Sequence, residues 1–398
     1  METGLPDDPS STIFPVREAE EVPAPTPEPT FTVDPIREKV VAMTTEELAG
    51  QLLVAGIQGT GAGEDARQVI EDLHVGGIIL FGRNVEDAEQ LTRLTGALKE
   101  LNRKAENVPL FLCVDEEGGM VSRMPPEITN LPNAYDYTQT GGDPGKRGEV
   151  LAAQCARFGF SVDLAPVLDV WSNPNNTVIG RRAFGTGAEE AAEAGTRCAQ
   201  AMMEAGIIPV VKHFPGHGNT DVDSHVGLPV VDKTEEELEA LELIPFRRAL
   251  EREEGHEPVP AVMVGHILMT RLDPLLPASL SPAVVNGLLR EKLGFEGVVF
   301  TDDLTMEAVA GTYGMGEAAV KAVEAGCDMA LVCHGLDNAK AAYHALLFAV
   351  EDGTLTRERL EESAYRILSL KAAYAVEDTM TERPDLEKLN ESIQAILP

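Results

Sequence analysis

A closed barrel of eight parallel strands, each followed by a helix, is the architecture this sequence predicts, and three observations predict it. Eight short apolar runs rich in β-branched residues punctuate the chain, amphipathic segments of helical period separate them, and chemically capable polar residues stand where the runs end. The runs are QLLVAGIQG near residue 51, VGGIILFG near 75, VPLFLCVDE near 108 and FSVDLAPVLDV near 160, then IIPVVKHFP near 207, PAVMVGHI near 260, GVVFTDD near 297 and MALVC near 329. Between them EDAEQLTRLTGALKELNRKA, GEVLAAQCARFG, EEAAEAGTRCAQAMMEAG and GEAAVKAVEAG repeat apolar residues at intervals of three and four, the period of a helix face. Eight such units predict a (β/α)8 TIM-type barrel forming one catalytic domain. A doubly wound sheet uses fewer units and opens on a glycine fingerprint, whereas GTGAGED at 59–65 lacks the spacing and the distant acid of a dinucleotide site and reads as a loop.

The ends of the chain read differently from its middle. Residues 1–35, with the run EEVPAPTPEPTFTVDP, have the Pro, Thr and Glu content of an extended, disordered acidic linker. The barrel is expected over 36–375, closed by the helix TRERLEESAYRILSLKAAY, and the tail 376–398 is expected to carry a short surface helix.

Composition narrows the function classes. At 398 residues and 43% apolar the chain can bury a large core, which excludes disorder as its dominant state. The 32 basic and 66 acidic residues leave a net charge of -34, a field that repels phosphate backbones and anionic headgroups and excludes nucleic acid as a partner. No apolar run reaches the roughly 18 to 20 residues of a membrane-spanning helix. Cys113, Cys155, Cys198, Cys327 and Cys333 show no CxxC spacing and read as buried thiols. The Pro-rich leader points to export and the cell surface, with the signal or lipid anchor outside this chain; the unpaired cysteines point to a reducing or anaerobic setting, and the leader tips the expectation slightly outward.

In a barrel of this kind the active site lies at the C-terminal ends of the strands. The third run leads into Asp115, Glu116 and Glu117, then Gly118, Gly119 and Arg123; the loop after the fourth holds Arg181 and Arg182; the fifth ends in Lys212 and His213, and its loop carries Asp223 and His225. The sixth ends in His266 and the seventh in Asp302 and Asp303. Convergence of so many groups on one barrel face points to catalysis.

The string KHFPGHGNTDVDSH, followed by the acids of VVFTDDLTMEAV, resembles the signature of family 3 β-N-acetylglucosaminidases, which are retaining exo-hexosaminidases. VDEEGGMVSR, NPNNTVIGRRAFG and GFEGVVFTDDL match further landmarks in order, so that the resemblance covers most of residues 40–375. It implies hydrolysis of terminal β-linked N-acetylglucosamine from a small carbohydrate, in particular a peptidoglycan-derived muropeptide, and requires no cofactor and no metal.

By the same resemblance Asp302 is the nucleophile, on the end of a strand that would hold it at the anomeric carbon, with Asp303 its neighbour in a capping or supporting role. The acid/base is a His-Asp dyad, His225 with Asp223. Two residues apart in an extended loop, both side chains can project to one side, so that Asp223 orients the imidazole, and Gly216, Gly218 and Gly227 permit the loop to move. Asp115 is expected to grip distal hydroxyls, with Arg123, Arg182, Lys212 and His213 lining the same subsite. The pair RR departs from the family pattern; counting back from Phe184 and Gly185 selects Arg182 and leaves Arg181 facing solvent. Glu116 and Glu117 read as loop anchors, and His217 and His266 as structural or supporting groups.

Three other readings compete. A metal hydrolase would use His213 and His217 four residues apart with His225 and Asp302, but the intervening Phe-Pro-Gly opposes the helix that would align them. A silent sugar-binding barrel would have lost the nucleophile or the dyad, and both are present. A phosphorylase on the same scaffold stays open, because a His acid/base repels incoming phosphate less than a carboxylate does.

Overall fold

The computed structural model describes residue 1 and residues 34–220, 227–252 and 256–397. The chain falls into two units, Met1–Asp34 and Pro35–Pro398, and the barrel lies in the second. Its strands are β1 (Leu53–Gly56), β2 (Gly77–Leu80), β3 (Phe111–Val114), β4 (Val162–Asp163), β5 (Ile208–Phe214), β6 (Ala261–Val264), β7 (Val298–Asp303) and β8 (Met329–Val332). Each pairs in parallel with its neighbour in sequence, and β8 closes the ring against β1 with Ala330, Leu331 and Val332 opposite Leu53, Val54 and Ala55. The eight apolar runs are these eight strands. They read as continuous apolar runs because both faces are covered, one by the barrel interior and one by the helices.

Local chemistry sets where the helices begin and end. Asp87 caps Ala88–Lys104 by accepting the Gln90 amide, and Leu91, Leu94 and Leu98 form its buried stripe. Pro144 opens Pro144–Arg157 behind an Asp143 cap, and Met315–Ala325 ends at Gly326, whose φ of 112° suits a residue without Cβ. Helix Pro144–Arg157 packs so closely on Ala188–Glu204 that a Cβ at Gly148 would stand 2.3 Å from the Cys198 carbonyl oxygen. The helix after β6, Ala283–Lys292, is wound as a π-helix.

Two strands outside the barrel, Val230–Val231 and Leu268–Met269, pair in parallel and tie the loop after β5 to the loop after β6. Each is two residues long, too short to show alternation. The tail forms helix Leu386–Gln394, which buries Leu389 and Ile393 and so packs on the barrel instead of lying free on its surface.

Buried charges fasten the N-terminal ends of the strands. Asp328, just before β8, accepts from the Val299 amide at 2.9 Å, Ser363 at 2.7 Å, Arg290 at 2.5 Å and Arg366 at 3.1 Å. One carboxylate thereby joins β7, β8, helix Ala283–Lys292 and helix Arg357–Ala373. On the last of these helices Lys371 reaches beneath the barrel to donate to Gln51 Oε1 and the Gly76 carbonyl, both at 2.9 Å.

Burial brings the Lys371 ammonium down to about 7, whereas an unfolded lysine titrates near ~10.4. Between those values the unfolded chain binds more protons than the folded one, so this group's contribution to stability rises with pH from about 7 to 10. Thermal melts of the wild type and Lys371→Met at pH 7 and pH 9.5 are expected to show a smaller gain in Tm for the variant; equal gains would mean that Lys371 is charged in the folded state.

Candidate active site

At the C-terminal ends of the strands the barrel opens into a cavity of about 190 Å³. Its charged lining is Asp115, Arg123, Arg182, Lys212, Asp302 and Asp303, with His213, His217 and His334, and its apolar walls include Phe81, Val178, Met263 and Met306. The six expected residues Asp115, Arg123, Arg182, Lys212, His213 and Asp302 therefore meet in one place. Asp223 and His225 lie outside the described residues.

The centre of the charge network is Glu117. Its carboxylate takes both arms of Arg182, Nε at 2.8 Å and Nη2 at 2.7 Å, and the Lys212 ammonium at 2.8 Å. Lys212 also donates to Asp115 Oδ1 at 2.6 Å. Burial pushes the Glu117 carboxyl up, but the adjoining Arg182 and Lys212 charges outweigh it and hold the group well below the usual carboxylate range. Burial likewise works against the Lys212 ammonium, and Asp115 and Glu117 more than compensate, keeping it above its ordinary value. Glu117, Arg182 and Lys212 are therefore ionised near neutrality. Glu117 was expected as a loop anchor; the structure gives it the larger task of aiming two cations.

The loop that carries Glu117 turns through Gly118 at φ 76° and Gly119 at φ 63°. A Cβ on Gly118 would meet Arg147 at 2.7 Å, and buried Arg147 donates to the Glu117 carbonyl and, at 2.9 Å, to the Pro132 carbonyl. Arg182 stands on the short 3-10 turn Gly180–Arg182, and its neighbour Arg181 points outward to Asp136 at 2.6 Å.

A second buried carboxylate, Asp169, organises the histidines. Its Oδ2 accepts from His213 Nδ1 at 2.6 Å and its Oδ1 from the His217 amide at 2.6 Å. Burial opposes its ionisation, yet the His213 and His217 charges and the hydrogen bonds lower its pKa overall. With Nδ1–H assigned to the carboxylate, Nε2 is the remaining polar atom of His213. Burial and the neighbouring His213 lower the His217 pKa, which keeps that ring neutral at pH 7, and its Nδ1 meets Thr220 Oγ1 at 2.7 Å. Asp169 lies in the run VLDV after β4, where its place beyond an apolar strand is the same signal that marks Asp115 and Asp302.

The two acids ending β7 are in unlike situations. Asp303 accepts from the Thr305 amide at 2.9 Å, Thr305 Oγ1 at 2.6 Å and the Cys333 amide at 3.1 Å, so both its oxygens are committed to the turn ahead and to the end of β8. Among the described residues Asp302 takes one bond, from the Asp303 amide at 2.8 Å, and it faces the cavity. Burial would raise its pKa, but the charges of His266 and His213, the Asp303 amide and Lys212 bring it below the ordinary value. His266 is fastened beneath, with Nδ1 2.7 Å from Ser279 Oγ and Nε2 2.9 Å from the Asp303 carbonyl.

Two further features were not foreseen. Phe81 stacks on His334 with ring centroids 5.4 Å apart, and the Arg83 guanidinium lies 4.4 Å from the Phe81 centroid, forming a layered wall at the rim. Gly218 is required by packing, since a Cβ there would stand 1.8 Å from the Val170 carbonyl; Asn176 donates to the His217 carbonyl at 2.8 Å and fastens the same segment. Among the described residues no group of three or more His, Cys, Asp or Glu is arranged to hold a metal ion, and His213 and His217 meet edge to face at 5.8 Å.

A (β/α)8 barrel with an ionised, half-committed carboxylate and a paired set of cations around a monosaccharide-sized cavity has the makings of a sugar hydrolase. The chain belongs to glycosyl hydrolase family 3, whose N-terminal domain profile matches residues 44–370, and it is a glycoside hydrolase. It is 36% identical over 358 residues to the β-hexosaminidase LpqI of Mycobacterium tuberculosis, covering 88% of each chain, and 37% identical over 290 residues to a β-hexosaminidase of Alkalilimnicola ehrlichii, covering 71% of this chain and 80% of that one. Among solved structures, a family 3 β-N-acetylglucosaminidase from a Paenibacillus species superposes with a TM-score of 0.83 at 41% identity, over 89% of this chain and 68% of that one.

Removing the charge of Glu117 leaves two buried cations without their shared partner. Glu117→Gln is expected to cost about 3–5 kcal/mol in stability at pH 7, the range for breaking a buried ion pair from one side. Urea denaturation measures it; a loss below about 1 kcal/mol would mean that Lys212 and Arg182 are held by other groups.

Proposed function

We propose that this β-hexosaminidase is a retaining exo-β-N-acetylglucosaminidase that removes terminal β-linked N-acetylglucosamine, in particular from peptidoglycan-derived muropeptides, through a glycosyl-aspartate intermediate. The observation that carries this reading is Asp302: an ionised carboxylate at the end of a rigid strand, with Asp303 bound away beside it and one oxygen left for the anomeric carbon. The names of the relatives support the acetamido sugar, and the family resemblance supports the muropeptide aglycone.

In the first step Asp302 attacks the anomeric carbon while the glycosidic oxygen takes a proton from His225, held in its charged form by Asp223. In the second, the neutral imidazole removes a proton from water, which displaces Asp302 and restores the β-anomer. Asp115, fixed by Lys212, and Arg123, Arg182, Lys212 and His213 hold the ring hydroxyls, so their charges are in place before the oxocarbenium-like transition state forms. No step calls for a cofactor.

Nitrophenol release from the β-N-acetylglucosaminide and the β-glucoside tests this. The acetamido sugar is expected to be hydrolysed faster, Asp302→Ala to abolish turnover, and His225→Ala to reduce it on poorly activated leaving groups by about 10²–10⁴. Proton NMR should show the β-anomer first. Initial appearance of the α-anomer, or no turnover by folded wild type, overturns the reading; acceleration by phosphate with release of sugar-1-phosphate would make the enzyme a phosphorylase.

A further inference from the structure

Beneath the cavity floor lies a carboxyl group that the proposed chemistry does not use. Glu116 is 0% exposed; among the described residues its Oε1 has no partner at full hydrogen-bond geometry, although the Ser122 side chain and the Met124 amide stand close enough to favour the ionised carboxyl. Packing alone would favour an apolar side chain at such a place, because a buried, unmatched polar oxygen destabilises the fold. What the acid supplies in return is specific: Glu116 Oε2 accepts the Arg123 amide at 2.6 Å.

The backbone between the two residues is a tight excursion. The Glu117 amide donates to the Val121 carbonyl at 2.9 Å, and Gly118 and Val121 form an antiparallel bridge. The Glu116 carboxyl closes this excursion at its far end. At the near end the Glu116 amide donates at 2.9 Å to Oδ1 of Asp163, a fully buried residue of β4. A continuous path of bonds thus runs from the barrel wall through Glu116 to the backbone of Arg123.

Arg123 needs such a path because no carboxylate of the described residues fastens its head group. Arg182 and Lys212 are both bound to Glu117, whereas among the described residues no carboxylate lies within ion-pair distance of the Arg123 guanidinium, and its one hydrogen bond is to the Ser122 carbonyl at 3.1 Å. That leaves the guanidinium open to a ligand, with its aim set by the backbone that bears it. The arrangement rests on the reading of the cavity as a sugar site. We propose that Glu116 is a positioning residue: by clamping the Arg123 amide to β4 it orients toward the bound sugar a guanidinium that no carboxylate of the described residues holds.

Burial pushes the Glu116 carboxyl up to about 7, against the pull of the Arg123 amide. Asp163 from β4 and Arg147 and Cys155 from helix Pro144–Arg157 face it, and Arg123 adds its charge from the loop. A carboxyl that is largely neutral at slightly acid pH has a close mimic in glutamine, which keeps the accepting oxygen. Methionine keeps the volume and loses the acceptor.

The test compares Glu116→Met, Glu116→Gln, Arg123→Ala and the double variant Glu116→Met/Arg123→Ala in hydrolysis of the nitrophenyl N-acetylglucosaminide, with thermal melts to establish folding. Glu116→Met is expected to raise KM by about tenfold with kcat within about threefold of wild type, and Glu116→Gln to restore KM. Because Glu116 acts through Arg123, the double variant should be no worse than Arg123→Ala alone. Should Glu116→Met not fold, Glu116→Asp, which withdraws the acceptor by one methylene, is compared with Glu116→Gln instead. An unchanged KM, a joint fall in kcat and KM effects that glutamine does not rescue, or multiplied losses in the double variant overturns the assignment. Wild type that neither hydrolyses the sugar nor binds free N-acetylglucosamine by calorimetry would instead overturn the functional reading on which it rests.

Discussion

Glu117 is the group on which the mouth of the barrel depends. Its carboxylate, buried and shared by Arg182 and Lys212, joins the end of β3 to the loop after β4 and to β5. Desolvating three charges together is unfavourable, and a well-packed apolar cluster would hold the loops as firmly. The ionic solution has a different return. It fixes Lys212 in a position from which the same ammonium also grips Asp115, so Glu117, which does not line the cavity, orients two residues that do.

The other buried acids divide the labour by the number of oxygens they have left. Asp328 commits both to the base of the barrel, Asp169 commits both to His213 and His217, and Asp303 commits both to the turn after β7 and the end of β8. Asp302 alone in this group retains an oxygen toward the cavity. Burial separates Asp328 and Asp169, which are fully buried, from the half-buried Asp302 and Asp303, and between those two neighbours the distinction is one of hydrogen-bond accounting. Ionisation of Asp302 follows from its neighbours: His266, His213, the Asp303 amide and Lys212 together outweigh the burial that would raise its pKa.

The barrel was legible in the sequence because its evidence is periodic. Eight continuous apolar runs and the three-four rhythm between them survive any local irregularity, and even a strand as short as Val162–Asp163 announced itself through the longer run around it. The two-residue strands at Val230 and Leu268 had no such run. Cavity-lining residues were legible where they end a strand: Asp115, Lys212, His213 and Asp302 all follow that rule, and Arg182, selected by its spacing to Phe184 and Gly185, lines the same cavity. What sequence order cannot carry is which of several neighbours turns inward. The consecutive acids 115 to 117 are one string in the sequence and three environments in space, one facing the sugar site, one sealed beneath it and one pairing two cations. Gly218 was read as permission to move, whereas the close approach of Val170 makes its missing side chain a packing requirement.

The net charge of -34 and the cavity's cations have to be reconciled if the proposed muropeptide, itself carrying carboxylates, is to enter. At physiological ionic strength charges separated by more than about 8 Å are largely screened, so the acidic exterior acts on solubility far more than on a ligand already at the mouth. What the ligand meets there is a local balance. Lys212 and Arg182 are paired with Asp115 and Glu117, Asp302 and Asp303 add two formal negative charges, and Arg123 adds one positive charge that no carboxylate of the described residues pairs. The lining therefore carries a small formal negative excess, with the cation left open among the described residues on the loop that Glu116 fastens. A neutral sugar ring is held there by direction more than by net attraction, and direction is what the buried acids beneath the loops provide.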